Sequence, residues 1–245
     1  MPVQLGTAVG VTTLTLDRPA RRNALSATLI DRLRAGLARA ADDPDTRAVV
    51  LTHTGGTFCA GADLEEPPGA AELTGLLREI VELPKPVVAR VAGHVRAGGL
   101  GIVGACDIAV AGEGEGVTFA FTEARLGLAP AVISLPLLPR LDPRAAGRYY
   151  LTGETFDARE AVRAGLVTVA APDVDAALET VLDGLRAASP QGVAESKRLV
   201  TADVVAAFER DAERLTALSE RLFATDEARE GITAFLERRR PAWRQ

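Results

Sequence analysis

Residues 9–17, VGVTTLTLD, alternate apolar and β-branched residues with threonines, a period-two pattern that predicts a strand. The polar run RPARRNALS follows, and Ser26 is placed to cap a helix extending to about Ala41. TRAVVLTHTG reads as a buried strand that ends at Gly55 and Gly56. ELTGLLREIVEL has helical periodicity, and the prolines of PKP stop it. VVARVAG predicts another apolar strand, GGLGIVGACD a short helix of small residues, and IAVAGE and VTFAF two further strands. Strands alternating with helices point to an α/β fold. From about residue 142 the period changes. DPRAAGRYYLTG, DAREAVRAG, VDAALETVLDGLRAA and the long run 190–238 all read as helix. The expected organisation is a strand–helix core over residues 1–141 and a helical region over 142–245, without an internal repeat of fixed period.

Composition narrows the class more than the fold. The chain of 245 residues is long enough for one large core, and 47 % hydrophobic with 25 % charged residues is ordinary globular composition. A net charge of −5 argues against nucleic acid as a partner, because a broad polyanion footprint needs a basic balance. Cys59 and Cys106 have neither a disulfide pattern nor a metal-ligand spacing, so no metal is expected and a reduced, cytoplasmic setting is the simpler one. The amino end lacks the basic-then-apolar pattern of a secretory signal. No apolar run reaches the ~20 residues of a membrane span, so no membrane partner is expected.

The candidate chemistry lies in AGHVRAGGLGIVGACD, residues 92–107. Glycines 99, 101 and 104 spell the G-x-G-x-x-G of dinucleotide sites, but that motif needs its glycines directly after a strand and opening a full helix. Here HVRA intervenes, and the helix has room for only a few turns before Asp107. A second reading pairs two loops. GTFCAGADL (56–64) follows one predicted strand and RAGGLG follows another, each placing small residues where backbone must come close to a ligand. The amides of Ala62 and Gly98 could then share one pocket, the second at the positive end of a helix. Two such donors stabilise charge developing on a carbonyl oxygen, and losing one typically costs about 3 to 4 kcal/mol. Glycine-lined turns that serve packing alone fit the same spacing.

FCAGADL, PKPVVARVAG, AGGLG…ACDIAVA and FAFTEARLGL resemble, in order, the signatures of the crotonase superfamily, the enoyl-CoA hydratase/isomerase family. The resemblance runs from LDRPARRNAL through YYLTGETFDAREAVRAGLV to EAREGITAFLERRRPAW. It implies a ββα spiral core with a C-terminal helical trimerisation region, assembled as a homotrimer or a dimer of trimers. It implies an acyl-CoA substrate, with coenzyme A entering as part of that substrate and no separate cofactor. By the same resemblance Ala62 and Gly98 form the oxyanion hole. Arg21, Arg22, Ala24, Ala60, Asp63 and Leu64 fall where coenzyme A is wrapped. Phe235 and Arg238, three apart on one helical face, match a tail-helix contact to coenzyme A that usually comes from a neighbouring subunit. A solvated basic end reads equally from ERRRPAW.

The carboxylates depart from the family pattern. Hydratases of the family usually hold two glutamates; Glu123 matches the second, whereas position 101, which matches the first, is glycine. Ala131 stands where the family's thioester hydrolases add an acid. Three readings follow: hydration of a 2-enoyl-CoA with Glu123 as sole glutamate acid/base, Δ3,Δ2-isomerisation with Glu123 as proton shuttle, or a non-catalytic acyl-CoA-binding scaffold. His53 reads as structural, Cys59 as a small hydrophobe, and His94 and Arg96 as either pocket or surface residues. PAVISLPLLPRL (130–141) is read as pocket wall or ordinary core.

Overall fold

The computed structural model describes residues 2–244. Its strands are β1 (Val3–Ala8), β2 (Val11–Leu16), β3 (Ala48–His53), β4 (Thr57–Cys59), β5 (Val87–Val91), β6 (His94–Arg96), β7 (Ile108–Gly112), β8 (Thr118–Ala120), β9 (Phe156–Asp157) and β10 (Val169–Ala171). The helices are α1 (Ala27–Asp42), α2 (Ala70–Glu82), α3 (Gly98–Ala105), α4 (Ser134–Leu137), α5 (Pro143–Thr152), α6 (Ala158–Arg163), α7 (Val174–Ala187), α8 (Pro190–Val200), α9 (Ala202–Phe223) and α10 (Asp226–Leu236). Two short 3₁₀ turns, Pro19–Arg21 and Glu123–Leu126, complete the set.

A six-stranded sheet has the order β1-β2-β3-β5-β7-β10 and a four-stranded sheet the order β4-β6-β8-β9. Only the β1–β2 and β8–β9 pairs are antiparallel. After the β1–β2 hairpin, three windings (β3–β4, β5–β6 and β7–β8) each lay one strand in the large sheet and the next in the small sheet, and return through a helix or turn. The all-apolar face of β3 and β5 explains the continuous valine runs, because parallel strands are covered on both sides. α1 begins where expected, with Ser26 accepting the Leu29 amide, and its Leu29, Ile30, Leu33 and Leu37 form the core-facing stripe.

The strands missed by sequence reasoning are short or solvent-facing: β1, with five of its six residues exposed, and the three-residue β4 and β6. The span 142–244 is helical in the main, yet it returns β9 to the small sheet and β10 to the large one. Ala146, Tyr149, Phe156, Leu166, Val204 and Phe208 join the same hydrophobic cluster as Leu14, Leu51 and Phe119, so the core continues across residue 141. The long run 190–238 divides into α8, α9 and α10, and α9 packs on α2 and α4 of its own chain. No helix among the described residues is long and apolar enough to cross a membrane.

Candidate active site

β4, β6 and β8 run parallel, and the three segments that leave their C-terminal ends carry Ala62, Gly98 and Glu123. Ligands of parallel sheets bind outside the carboxyl ends of the strands, so topology alone brings these residues to one place. Local bonds fix the alignment. The Ala97 amide donates to the Ala120 carbonyl at 3.2 Å, tying the turn into α3 to the end of β8. A Cβ on Gly61 would lie 2.9 Å from the Ala97 methyl and 3.7 Å from the Gly98 amide nitrogen, so the two small-residue loops abut. Gly61 has φ +91°, which admits glycine with least strain. Ala97 holds φ +46° without being glycine, a strained backbone at the residue that aims the Gly98 amide.

The first loop is held by the turn before α1. Leu25 bridges Ala62 in parallel: its amide donates to Gly61 O and its carbonyl accepts from Asp63 N, both at 2.8 Å. Ala60 N donates to Arg22 O at 3.1 Å. In this pairing the Ala62 N–H points away from Leu25. Among the described residues neither the Ala62 nor the Gly98 amide has a protein acceptor. Buried Asn23 fastens the same turn from beneath, donating to Thr54 O at 3.0 Å and Thr57 O at 2.7 Å while accepting from Arg18 N. Sequence reasoning placed Asn23 only within the RRNA turn; its threefold bonding is a tertiary fact.

Arg21, Arg22, Ala24, Ala60, Asp63 and Leu64 therefore share one region. Arg21 is exposed and forks onto the Glu65 carboxylate, with Asp63 at 4.0 Å. Asp63 is buried, and its Oδ2 has no hydrogen-bond partner. Phe235 and Arg238 stand apart from residues 21–24 and 60–64, with no side-chain bond to them among the described residues, and they do not share the expected helical face: α10 ends at Leu236, and Arg238 follows it with φ +55°. α10 itself lies on the 3₁₀ turn of Glu123 in its own chain: a Cβ at Gly231 would meet Leu126 O at 2.4 Å.

Glu123 is buried, its Oε2 lacks a hydrogen-bond partner, and burial pushes its carboxyl up to about 7. A carboxyl so placed is poised to exchange a proton near neutral pH. The glycines of α3 do packing work. A Cβ at Gly99 would sit 2.7 Å from Cys59 Cβ, at Gly101 2.5 Å from Ile133 Cγ2, and at Gly104 2.4 Å from Leu137 Cδ2. The G-x-G-x-x-G pattern is thus a close packing joint, with Cys59 of β4 against Gly99 and PAVISLPLLPRL supplying the side chains against Gly101 and Gly104.

The remaining candidates have structural duties. His53 Nε2 accepts the Ala92 amide at 3.1 Å, and burial lowers its pKa. His94 and Arg96 bond Thr118 on the neighbouring strand. Cys59 is buried and its thiol is pushed up to about 12, so it is no nucleophile. No cluster of metal-ligating side chains occurs among the described residues.

The family model for enoyl-CoA hydratase/isomerase matches residues 6–245. The chain is 36 % identical to enoyl-CoA hydratase EchA19 of Mycobacterium tuberculosis, over 93 % of this chain and 91 % of that one. It is 33 % identical to (E)-benzylidenesuccinyl-CoA hydratase of Thauera aromatica, over 100 % and 99 %. A crystal structure of an enoyl-CoA hydratase from Mycobacterium avium superimposes with a TM-score of 0.93 at 55 % identity, covering 99 % and 98 % of the two chains. The ordered motifs, the paired-strand winding and these likenesses agree: the chain belongs to the enoyl-CoA hydratase/isomerase family.

Proposed function

We propose that the protein adds water across the double bond of a 2-enoyl-CoA thioester, with Glu123 as the sole glutamate acid/base. The observation that carries this reading is the buried Glu123 carboxyl, with Oε2 unpartnered, at the same end of the small sheet as two amides without protein acceptors. The Ala62 and Gly98 N–H groups hold the thioester oxygen. Glu123, ionised, takes a proton from water as its oxygen bonds C3, and the π electrons move into the enolate. Collapse of the enolate takes that proton from Glu123 onto C2. Arg21, Arg22, Ala24, Ala60, Asp63 and Leu64 receive coenzyme A, which requires Arg21 to leave Glu65 for a phosphate. Phe235 and Arg238 complete that contact within a homotrimer. The hydratase names of relatives similar over most of the chain favour hydration.

Isomerisation is the second reading, favoured by one feature: position 101 carries no carboxylate, and a single shuttle suffices to move a proton from C2 to C4. A panel of 2- and 3-enoyl-CoA thioesters separates the two. Hydration adds the mass of one water, and isomerisation creates conjugation without mass change. Glu123→Gln should lower turnover by about 10²- to 10⁴-fold with affinity for acyl-CoA nearly kept. Full turnover in that variant would refute both readings, and sedimentation as a stable monomer would refute the trimer.

A further inference from the structure

A free donor and a free acceptor face each other between the turn before α1 and the loop after β4. Asp63 is 6 % exposed at its side chain. Its Oδ1 accepts the Glu65 amide at 3.1 Å, while Oδ2 accepts no hydrogen bond. Arg21 directs Nη1 and Nη2 to the two oxygens of Glu65, and its Nε–H has no acceptor among the described residues. That donor lies 4.0 Å from Asp63 Oδ2, about 1 Å beyond hydrogen-bond length. Arg18 stands 3.8 Å from the same oxygen and donates Nη1 to Ser26 Oγ at 3.0 Å.

A buried acceptor without a donor is costly, and a guanidinium holds its five donors in one fixed plane. The end-on fork of Nη1 and Nη2 matches two oxygens of a carboxylate or two of a phosphate. Nε points sideways from that fork, so it can bond Asp63 while the fork holds an anion. Glu65, which now fills the fork, is exposed and free to swing away, whereas Asp63 is fixed by burial.

We propose that Arg21 has two seats. Without ligand its fork rests on Glu65, whose carboxylate takes the place of a phosphate. When a phosphate of coenzyme A takes the fork, the guanidinium shifts by about 1 Å and Nε–H closes on Asp63 Oδ2. Asp63 is thus a positioning residue that turns Arg21 towards phosphate, and Glu65 is a built-in competitor for it. Arg18, on the same carboxylate, offsets the negative charge that Asp63 brings near the ligand. The proposal deepens the reading of Arg21 as a coenzyme A contact and rests on it.

Titration calorimetry of the full chain with three unreactive ligands tests this: butyryl-CoA, its 3′-dephospho form, and butyryl-pantetheine, which carries the thioester without a phosphate. Glu65→Gln frees the fork and should tighten butyryl-CoA about two- to fivefold, the range of an exposed ion pair. Asp63→Asn removes the second seat at nearly constant shape and should weaken butyryl-CoA about tenfold. Neither change should move butyryl-pantetheine by more than about twofold. A Glu65→Gln gain that survives in the dephospho form assigns the fork to the diphosphate, and a gain lost there assigns it to the 3′-phosphate. Equal effects on all three ligands would make Asp63 a loop support and overturn the proposal. So would a Glu65→Gln protein that binds butyryl-CoA no better than the parent, and this exposed position decides the matter even where Asp63→Asn fails to fold. Unchanged butyryl-CoA affinity in Arg21→Gln would remove the coenzyme A contact and the proposal with it. The expected pattern in a protein that turns over no enoyl-CoA would keep the two seats and remove the hydratase reading.

Discussion

At Glu123, stability and catalysis are opposed. Unfolded, the carboxyl titrates in the ordinary glutamate range; folded, it titrates at about 7. Between those values the native state holds a proton that the unfolded chain has released, so stability falls as pH rises through this window. The cost is fully present above pH 7 and amounts to about 3 kcal/mol at 1.36 kcal/mol per unit. Glu123→Gln, uncharged at every pH, should therefore be more stable than the parent at pH 8 and nearly equal to it at pH 4. Urea titrations at the two pH values measure the difference. An advantage that is the same at both would mean that the carboxyl does not carry this burial penalty. The parent's kcat/KM should rise with pH to a plateau, with its midpoint near the folded value.

α3 and the start of α4 lock through Gly101 against Ile133 and Gly104 against Leu137, three residues apart on α3 and four apart on its partner. Leu77 of α2 closes the same space, 3.3 Å from the Gly101 Cβ position. This changes what can be expected of restoring the family's missing acid. Sequence alone allows that Gly101→Glu preserves or raises hydration. With Ile133 in place the new side chain has no room at its first carbon, and overpacking of this kind costs about 1 to 3 kcal/mol before its charge is buried. Gly101→Glu should lower the melting temperature and depress turnover, and adding Ile133→Ala should recover part of both losses. Thermal melts and hydration assays on the single and double variants measure this. A single variant as stable as the parent would show that α4 yields easily.

Across the whole molecule, one buried ion pair joins the tail to the core. Lys197 of α8 lies 2.8 Å from Asp107, at the end of α3, and also donates to Ile80 O and Lys85 O. Asp107 accepts the Val87 amide at 2.7 Å, so four segments converge on one charge pair. Burial pushes the Asp107 carboxyl up and the Lys197 ammonium down, each against the pull of its partner. Removing one partner leaves the other charged without water, and such losses run to about 3 to 5 kcal/mol. Lys197→Met should cost about that much, and Asp107→Asn in the same chain should restore part of it. Chemical denaturation of the three variants closes the cycle. Additive losses would show that the two side chains act independently.

Much of the fold was legible because its signals are local. Valine runs mark the parallel strands, Ser26 marks the start of α1, and PKP the end of α2. Strands alternating with helices carried the α/β class, the ordered motifs that resemble the family named Ala62, Gly98 and Glu123, and the strand order then brought the three together at the C-terminal ends of the small sheet's parallel strands. The short β4 and β6 and the return of β9 and β10 left no periodic trace, since pairing partners far away in the chain define them. The glycines at 99, 101 and 104 could be seen from the sequence but not interpreted: cofactor cradle, catalytic turn and packing joint share one spelling. Only the tertiary structure put Cys59, Ile133 and Leu137 against them. It alone also decided that Glu123 is buried, for a carboxyl's proton affinity depends on the atoms packed around it and not on its neighbours in sequence.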